Sequence, residues 1–230
     1  MANEESSWKK PSVLILGASV ERAFEQPDGQ ERFDFVINLA AETKYGQGDA
    51  VYKDGILKLT QMCAAEAARR KVKRFVELSS GQLYSTGKDG APVVSDNASV
   101  ETNEIDQTAV VPAKESTARE PWTKVAKYKS QAEDQLRALL PELNYVVLRP
   151  AIVYGIGDKQ GLTPRLIIGA VYKILNEKMQ LLWTKDLKMN TVHVDDVCRA
   201  IWHVCHHGNA GEVYNLVDKG ETRQDKLSDL

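Results

Sequence analysis

The sequence predicts an α/β fold built on a parallel sheet. Two observations carry this. Short runs of strand-forming residues recur along the chain, and each breaks into small or polar residues, as buried parallel strands do on leaving a sheet. Between them lie segments whose apolar residues repeat at helical spacing, long enough to cross back over the sheet.

The elements follow in order. Residues 1–11 are polar and are expected to be disordered. Ser12-Val13-Leu14-Ile15-Leu16-Gly17-Ala18 is a first, doubly buried strand ending in glycine. Ala18 to Phe24 holds no second or third glycine, and Pro27-Asp28-Gly29-Gln30 is turn chemistry. Phe33 to Ala41 is a second strand. From Ala50 to Lys71, Ile56, Leu59, Met62, Cys63 and Ala67 form the apolar face of a helix. Cys63 lies on that face, which marks it as core rather than nucleophile.

Val72-Lys73-Arg74-Phe75-Val76-Glu77-Leu78-Ser79-Ser80 is a third strand with two hydroxyls at its exit. In open α/β sheets ligands sit beyond the carboxyl ends of the strands, so these hydroxyls either face a ligand or form a plain polar exit. Thr86 to Glu120 is rich in Ser, Thr, Asp, Gly and Pro and is expected to be a long mobile loop. A helix over Trp122–Leu140 follows, with Lys129 and Glu133 spaced to pair at i,i+4.

Leu143 to Pro150 is a fourth strand and Ala151 to Gly161 a loop. Arg165 to Leu175 is an apolar helix, and Met179 to Trp183 is strand-like. Asp195 is expected to cap the amphipathic helix that starts at Val197 and stops at Gly208. Gly211 to Val217 is a last strand, and Thr222 to Leu230 reads as the first turns of a helix.

Composition narrows the classes of function. The chain has 230 residues, 43% of them hydrophobic, with a net charge of −2. A pI near 6.1 argues against a nucleic-acid surface. No apolar run approaches membrane-spanning length, and residues 1–10 lack the apolar stretch of a signal peptide. The three cysteines, Cys63, Cys198 and Cys205, form no disulfide framework, which points to a reducing, cytoplasmic setting. His193, His203, His206 and His207 gather near Cys198 and Cys205, yet their spacing matches no zinc pattern, and no metal is assigned. Arg149 could meet a phosphate or carboxylate, and a salt bridge at the strand end is the favoured role.

Six short pieces then fall into a recognisable order. They are Asn38-Leu39-Ala40-Ala41, Ser79-Ser80-Gly81-Gln82-Leu83-Tyr84, Lys129 with Glu133, Leu148 to Gly155, His193 to Val197, and Tyr214-Asn215. Together, over Ser12 to Val217, they resemble the extended short-chain dehydrogenase/reductases, the NAD-dependent epimerase/dehydratase and 3β-hydroxysteroid-dehydrogenase-like group. The resemblance implies a Rossmann-like, doubly wound parallel sheet over residues 12–217 that binds NAD or NADP. It implies Ser80 and Lys129 as catalytic residues. It places Gly17, Ala40, Ala41, Ser79, Lys129 and Pro150 beside the cofactor. A small-molecule substrate, with neither nucleic acid nor membrane as partner, goes with it, and a homodimer is compatible.

Two departures qualify what the resemblance implies. The family pattern has a tyrosine four residues before the lysine as general acid/base, and here that position is Val125, which cannot transfer a proton. The helix is therefore either a degenerate catalytic helix or a plain packing one. In addition, Gly17 is followed by Ala18-Ser19-Val20, without the further glycines of a pyrophosphate turn. About fifty residues of the pattern, two strand–helix units in length, are missing there, so the sheet is expected to be incomplete in its first half. Residues 218–230 match only the start of a C-terminal region. The chain thus resembles a shortened form of a longer protein, whether a splice product or an incomplete gene model. Two functions stay open: an NAD(P)-dependent oxidoreductase or epimerase with weak cofactor binding, and a non-catalytic binding or scaffold protein.

Overall fold

The computed structural model describes residues 11–17, 24, 33–84, 113–159, 161–178, 188–219 and 222–223. The polar N-terminus to residue 10, the Pro27–Gln30 turn, residues 86–112 of the expected loop and the Met179–Trp183 strand lie outside these residues.

In chain order the first elements are β1 (Val13–Leu16), β2 (Phe35–Asn38), α1 (Asp49–Tyr52) and α2 (Leu59–Arg69). Then come β3 (Arg74–Leu78), α3 (Lys124–Arg137), β4 (Tyr145–Pro150), β5 (Ile152–Tyr154) and α4 (Leu162–Ile174). The last are β6 (Lys188–Met189), β7 (Thr191–His193), α5 (Val194–His206), β8 (Val213–Leu216) and β9 (Thr222–Arg223).

Five of the strands form one parallel sheet in the order β1-β2-β3-β4-β8. Its two faces follow from the period-two alternation of a strand. Val36, Phe75 and Val147 pack with Cys63, Ala64 and Ala67 of α2 and Leu136 of α3. The intervening Phe35, Ile37, Val76, Val146 and Leu148 pack with Val197, Ile201, Val204 and Cys205 of α5. Because helices cover both faces, the central strands read as largely apolar runs, interrupted by a few buried polar residues such as Glu77. Each fully buried large side chain contributes about 1.5–3 kcal/mol. This is the α/β, Rossmann-like parallel architecture expected from the sequence. β1 is one of the two edge strands, and its Ile15 is 60% exposed.

The helical run from Asp49 to Arg69 is interrupted by a π-helical stretch at Lys53–Lys58. Gly55 lies in that stretch and accepts a hydrogen bond from the Glu42 N–H at 3.1 Å. A Cβ at Gly55 would stand 2.8 Å from the Glu42 Cβ, so glycine lets the segment after β2 close onto the helix.

Several expectations are corrected. Residues within the Ala151–Gly161 loop form β5, paired in parallel with β7, a three-residue strand too short to leave a period in the sequence. Thr222–Arg223 does not begin a helix; it pairs antiparallel with Lys188–Met189. The cap of α5 is His193, whose Nδ1 accepts the Asp195 N–H at 3.3 Å, which places Asp195 inside the first turn. At the other end of α5, Arg74 donates to the carbonyls of His207 and Gly208 at 3.2 and 3.0 Å, tying that terminus to β3. No helix among the described residues is long and apolar enough to cross a membrane.

Candidate active site

The carboxyl ends of β1 to β4 deliver the expected site residues to one end of the sheet. Ser79 and Ser80 leave β3 with different assignments. Ser79 is buried, and its hydroxyl donates to Glu133 Oε1 at 2.5 Å while its N–H donates to the Leu148 carbonyl. Ser80 is half-buried and caps a 3₁₀ turn at Gly81–Leu83, its oxygen accepting the Gln82 N–H at 3.1 Å. The Ser80 hydroxyl proton is therefore left to donate elsewhere. The turn lies close against β4: a Cβ at Gly81 would meet the Pro150 carbonyl oxygen at 3.1 Å, which explains the glycine.

Gln82 ties this turn to its neighbours. Its side-chain oxygen accepts from Thr123 Oγ1 at 3.1 Å, and its amide nitrogen lies 3.1 Å from the Tyr45 hydroxyl. Thr123 is itself the cap of α3, accepting the Ala126 N–H. The start of α3 is thereby fixed beside Ser80.

Lys129, from α3, reaches under the end of β3. Its Nζ donates to Glu77 Oε1 at 2.9 Å and to the Leu78 carbonyl at 2.5 Å. Glu77 is fully buried, and its other oxygen accepts from Asn38 Nδ2 at 2.7 Å, while Thr60 donates to Oε1 at 3.3 Å. The expected Lys129–Glu133 pairing is not made. A buried carboxylate in the sheet offers Lys129 a better partner than a neighbour along its own helix, and Glu133 turns instead to Arg149.

Arg149 grips Glu133 with Nε at 3.1 Å and a terminal nitrogen at 2.6 Å, and donates its other terminal nitrogen to the Tyr84 hydroxyl. Tyr84 in turn donates to Asn215 Oδ1 at 2.8 Å. Burial works to lower the Arg149 pKa, but the Glu133 carboxylate and Tyr84 outweigh it and carry it upward. Arg149 thus has the salt-bridge role favoured by the sequence.

The remaining expected positions are spread around this centre. Val125 is 7% exposed and packs with Tyr52, Ile56 and Tyr128, a small apolar cluster with Ala41 on its margin. Ala40 is 1% exposed and belongs to the core beneath α2. Gly17 follows β1, where a Cβ would meet no described residue within 4 Å, and Pro150 closes β4 beside Leu216. Cys63 sits close enough to the ion pair to feel it. Burial, then the Glu77 charge, pushes its thiol up to about 12, in keeping with a core role.

Glu77, the partner of Lys129, and Asn38 and Thr60, which donate to Glu77, went unmarked in the sequence in these roles. The one available signal was a lone carboxylate inside the apolar run Phe75-Val76-Glu77-Leu78. Among the described residues, no group of three or more His, Cys, Asp or Glu side chains is placed to hold a metal ion.

Comparison with known proteins gives this arrangement a context. A family model described as the NAD dependent epimerase/dehydratase family matches residues 17–216. The chain is 26% identical over 222 residues to a dTDP-D-glucose 4,6-dehydratase of Dictyostelium discoideum, covering 93% of this chain and 47% of that protein. Among solved structures, RMD from Pseudomonas aeruginosa complexed with NADPH aligns with a TM-score of 0.69 and 24% identity, over 87% of this chain and 66% of that one. DesIV, a dTDP-glucose 4,6-dehydratase from Streptomyces venezuelae with NAD and TYD bound, aligns at 0.63 and 22%, over 86% and 56%. The chain spans about half the length of the curated relative it matches.

Proposed function

Because the chain belongs to the NAD dependent epimerase/dehydratase family, we propose that its strand-end cleft binds NAD or NADP with a small hydroxylated substrate. In this form it does so without the proton-transferring tyrosine of the family pattern. The observation that carries the proposal is the contrast between two residues. Ser80 keeps its hydroxyl proton for a ligand, whereas Val125 is sunk in an apolar cluster and has no proton to give.

The residues present fit the nicotinamide end of a dinucleotide in part. The Ser80 hydroxyl and one N–H of Lys129 have no acceptor among the described residues, so two donors remain for hydroxyl or carbonyl groups. Ala41, half-buried at the end of β2, and Pro150 would flank the ring, and the dinucleotide would supply the hydride chemistry. The pyrophosphate end fits less well. Gly17 is followed by Ala18-Ser19-Val20, which lacks the glycines that let backbone N–H groups cradle phosphates.

Binding is therefore weak, with Kd about 1 mM, near −4 kcal/mol. For the substrate, the dehydratase relatives suggest a nucleotide-linked sugar. General acid/base catalysis is worth about a hundred- to ten-thousand-fold in rate, and that factor is what Val125 forfeits.

Calorimetric titration with NAD and NADP, followed by a reduced-nicotinamide absorbance assay with dTDP-glucose, tests the proposal. Weak binding without turnover is the expected result. Micromolar binding would overturn the argument from the missing phosphate cradle, and hydride transfer would overturn the argument from Val125. Absence of any binding at about 10 mM dinucleotide would favour a second reading, a non-catalytic scaffold that keeps the fold alone.

A further inference from the structure

A carboxylate in the middle of a parallel sheet is tolerated only when donors surround it. Glu77 has donors from three elements: Asn38 of β2, Thr60 of α2 and Lys129 of α3. Asn38, Thr60 and Glu77 are fully buried, and Lys129 is 4% exposed. Lys129 spends two of its three N–H groups on Glu77 and the Leu78 carbonyl. Its charge is cancelled at 2.9 Å, inside the protein, where water screens little.

We propose that Glu77 is a positioning residue that holds Lys129 as a neutralised strut between α3 and β3. Lys129 then presents a single N–H and no net charge to the cleft, and a dinucleotide binds without help from the lysine charge. The affinity part of this proposal rests on the dinucleotide-binding reading above; the structural part does not. The same geometry accounts for two features together. The lone carboxylate of β3 sits where Lys129 can reach it, and Lys129 passes over Glu133 on its own helix to do so.

Two measurements on Glu77→Gln, Lys129→Met and the double variant test it. In thermal unfolding, each single variant leaves one buried group unmatched and should lower Tm on the order of 10 °C. The double variant should recover most of that loss, because no uncompensated charge remains. Additive losses would overturn the proposal. Should a single variant fail to fold while the double variant folds, the coupling is shown directly.

In titration with NAD and NADP, Lys129→Met should lose only the one N–H it offers, no more than about tenfold, by a factor that does not change with salt. Glu77→Gln should bind several-fold more tightly, with an advantage that shrinks as salt is raised. A loss of about a hundredfold or more in Lys129→Met that shrinks as salt is raised, with Glu77→Gln unchanged, would mean that the Lys129 charge drives binding and would overturn the proposal. A parent chain that binds neither dinucleotide sinks the dinucleotide reading, and the melting cycle then decides the role of Glu77.

Discussion

The Arg149 guanidinium and the Glu133 carboxylate meet in a two-point grip, 2.6 and 3.1 Å long, with both side chains within 3% of full burial. Glu133 also accepts the Ser79 hydroxyl, and Arg149 also donates to Tyr84, so the pair clamps α3, β3 and β4 together. Removing Glu133 strands the Arg149 charge in the core, and removing Arg149 leaves Glu133 only the longer ion pair to Arg119 at 3.5 Å. Arg149→Met or Glu133→Gln should each cost about 3–5 kcal/mol. Combining Arg149→Met with Glu133→Leu should return most of it, because a buried pair is often no better than an apolar one. Denaturant unfolding of the three variants measures both effects, and an unchanged midpoint in the singles would refute the clamp.

Two glycines in one helical run should respond in opposite directions. Gly55→Ala would set a methyl 2.8 Å from the Glu42 Cβ, and the clash should outweigh the helix propensity gained, at a net cost of about 1 kcal/mol. Gly48 is the helix cap, extended in backbone and without a side-chain bond to offer, with open space where a Cβ would go. Gly48→Ser should gain a few tenths of a kcal/mol, on the order of 0.3. Paired melting curves decide; equal shifts in one direction would contradict the geometry.

The thiols should separate by burial. Cys198 is exposed, whereas Cys63 and Cys205 are buried, with thiols pushed up to about 12 and about 11. Burial is the first cause in both. A thiol-disulfide reagent at pH 8 should modify Cys198 promptly and the other two only after unfolding.

The same shifts give a pH dependence. A thiol whose folded pKa lies above its ordinary value of 9.0 stabilises the fold fully below pH 9, and that share is lost as pH rises toward about 12. Stability should therefore fall through this window, and less steeply in Cys63→Ala. Identical slopes would refute the assignment.

Val125→Tyr should not create a working acid. The site is filled by Tyr52, Ile56 and Tyr128, so the larger ring must displace packed side chains, at a cost of about 1–3 kcal/mol. The expected result is a lower Tm and no hydride transfer with NAD or NADP. Turnover by this variant would mean that the surrounding site was intact and lacked only the phenol.

Patterns with a local period were legible in the sequence itself. The alternation of Phe35-Val36-Ile37 and Tyr145-Val146-Val147-Leu148 announced strands covered on both faces, and the helical spacing around Cys63 announced the layer beneath them. Burial of apolar area is what writes such periods, so the α/β sheet could be inferred from one chain, and with it that Ser79 and Ser80 leave at the carboxyl end of a strand. That Val125 stands where the resemblance expects a tyrosine, and that no further glycine follows Gly17 at close spacing, was visible in the same way.

Partner choice was decided only in three dimensions. Lys129 and Glu133 stand at pairing distance along a helix, yet each bonds across the fold, Lys129 to a residue 52 positions away. His193 rather than Asp195 caps α5, and β5 finds β7 across the intervening α4. Such contacts join segments far apart in sequence and leave no period behind. Their energy depends on which charge is already buried opposite, a quantity set when the sheet and its helices come together.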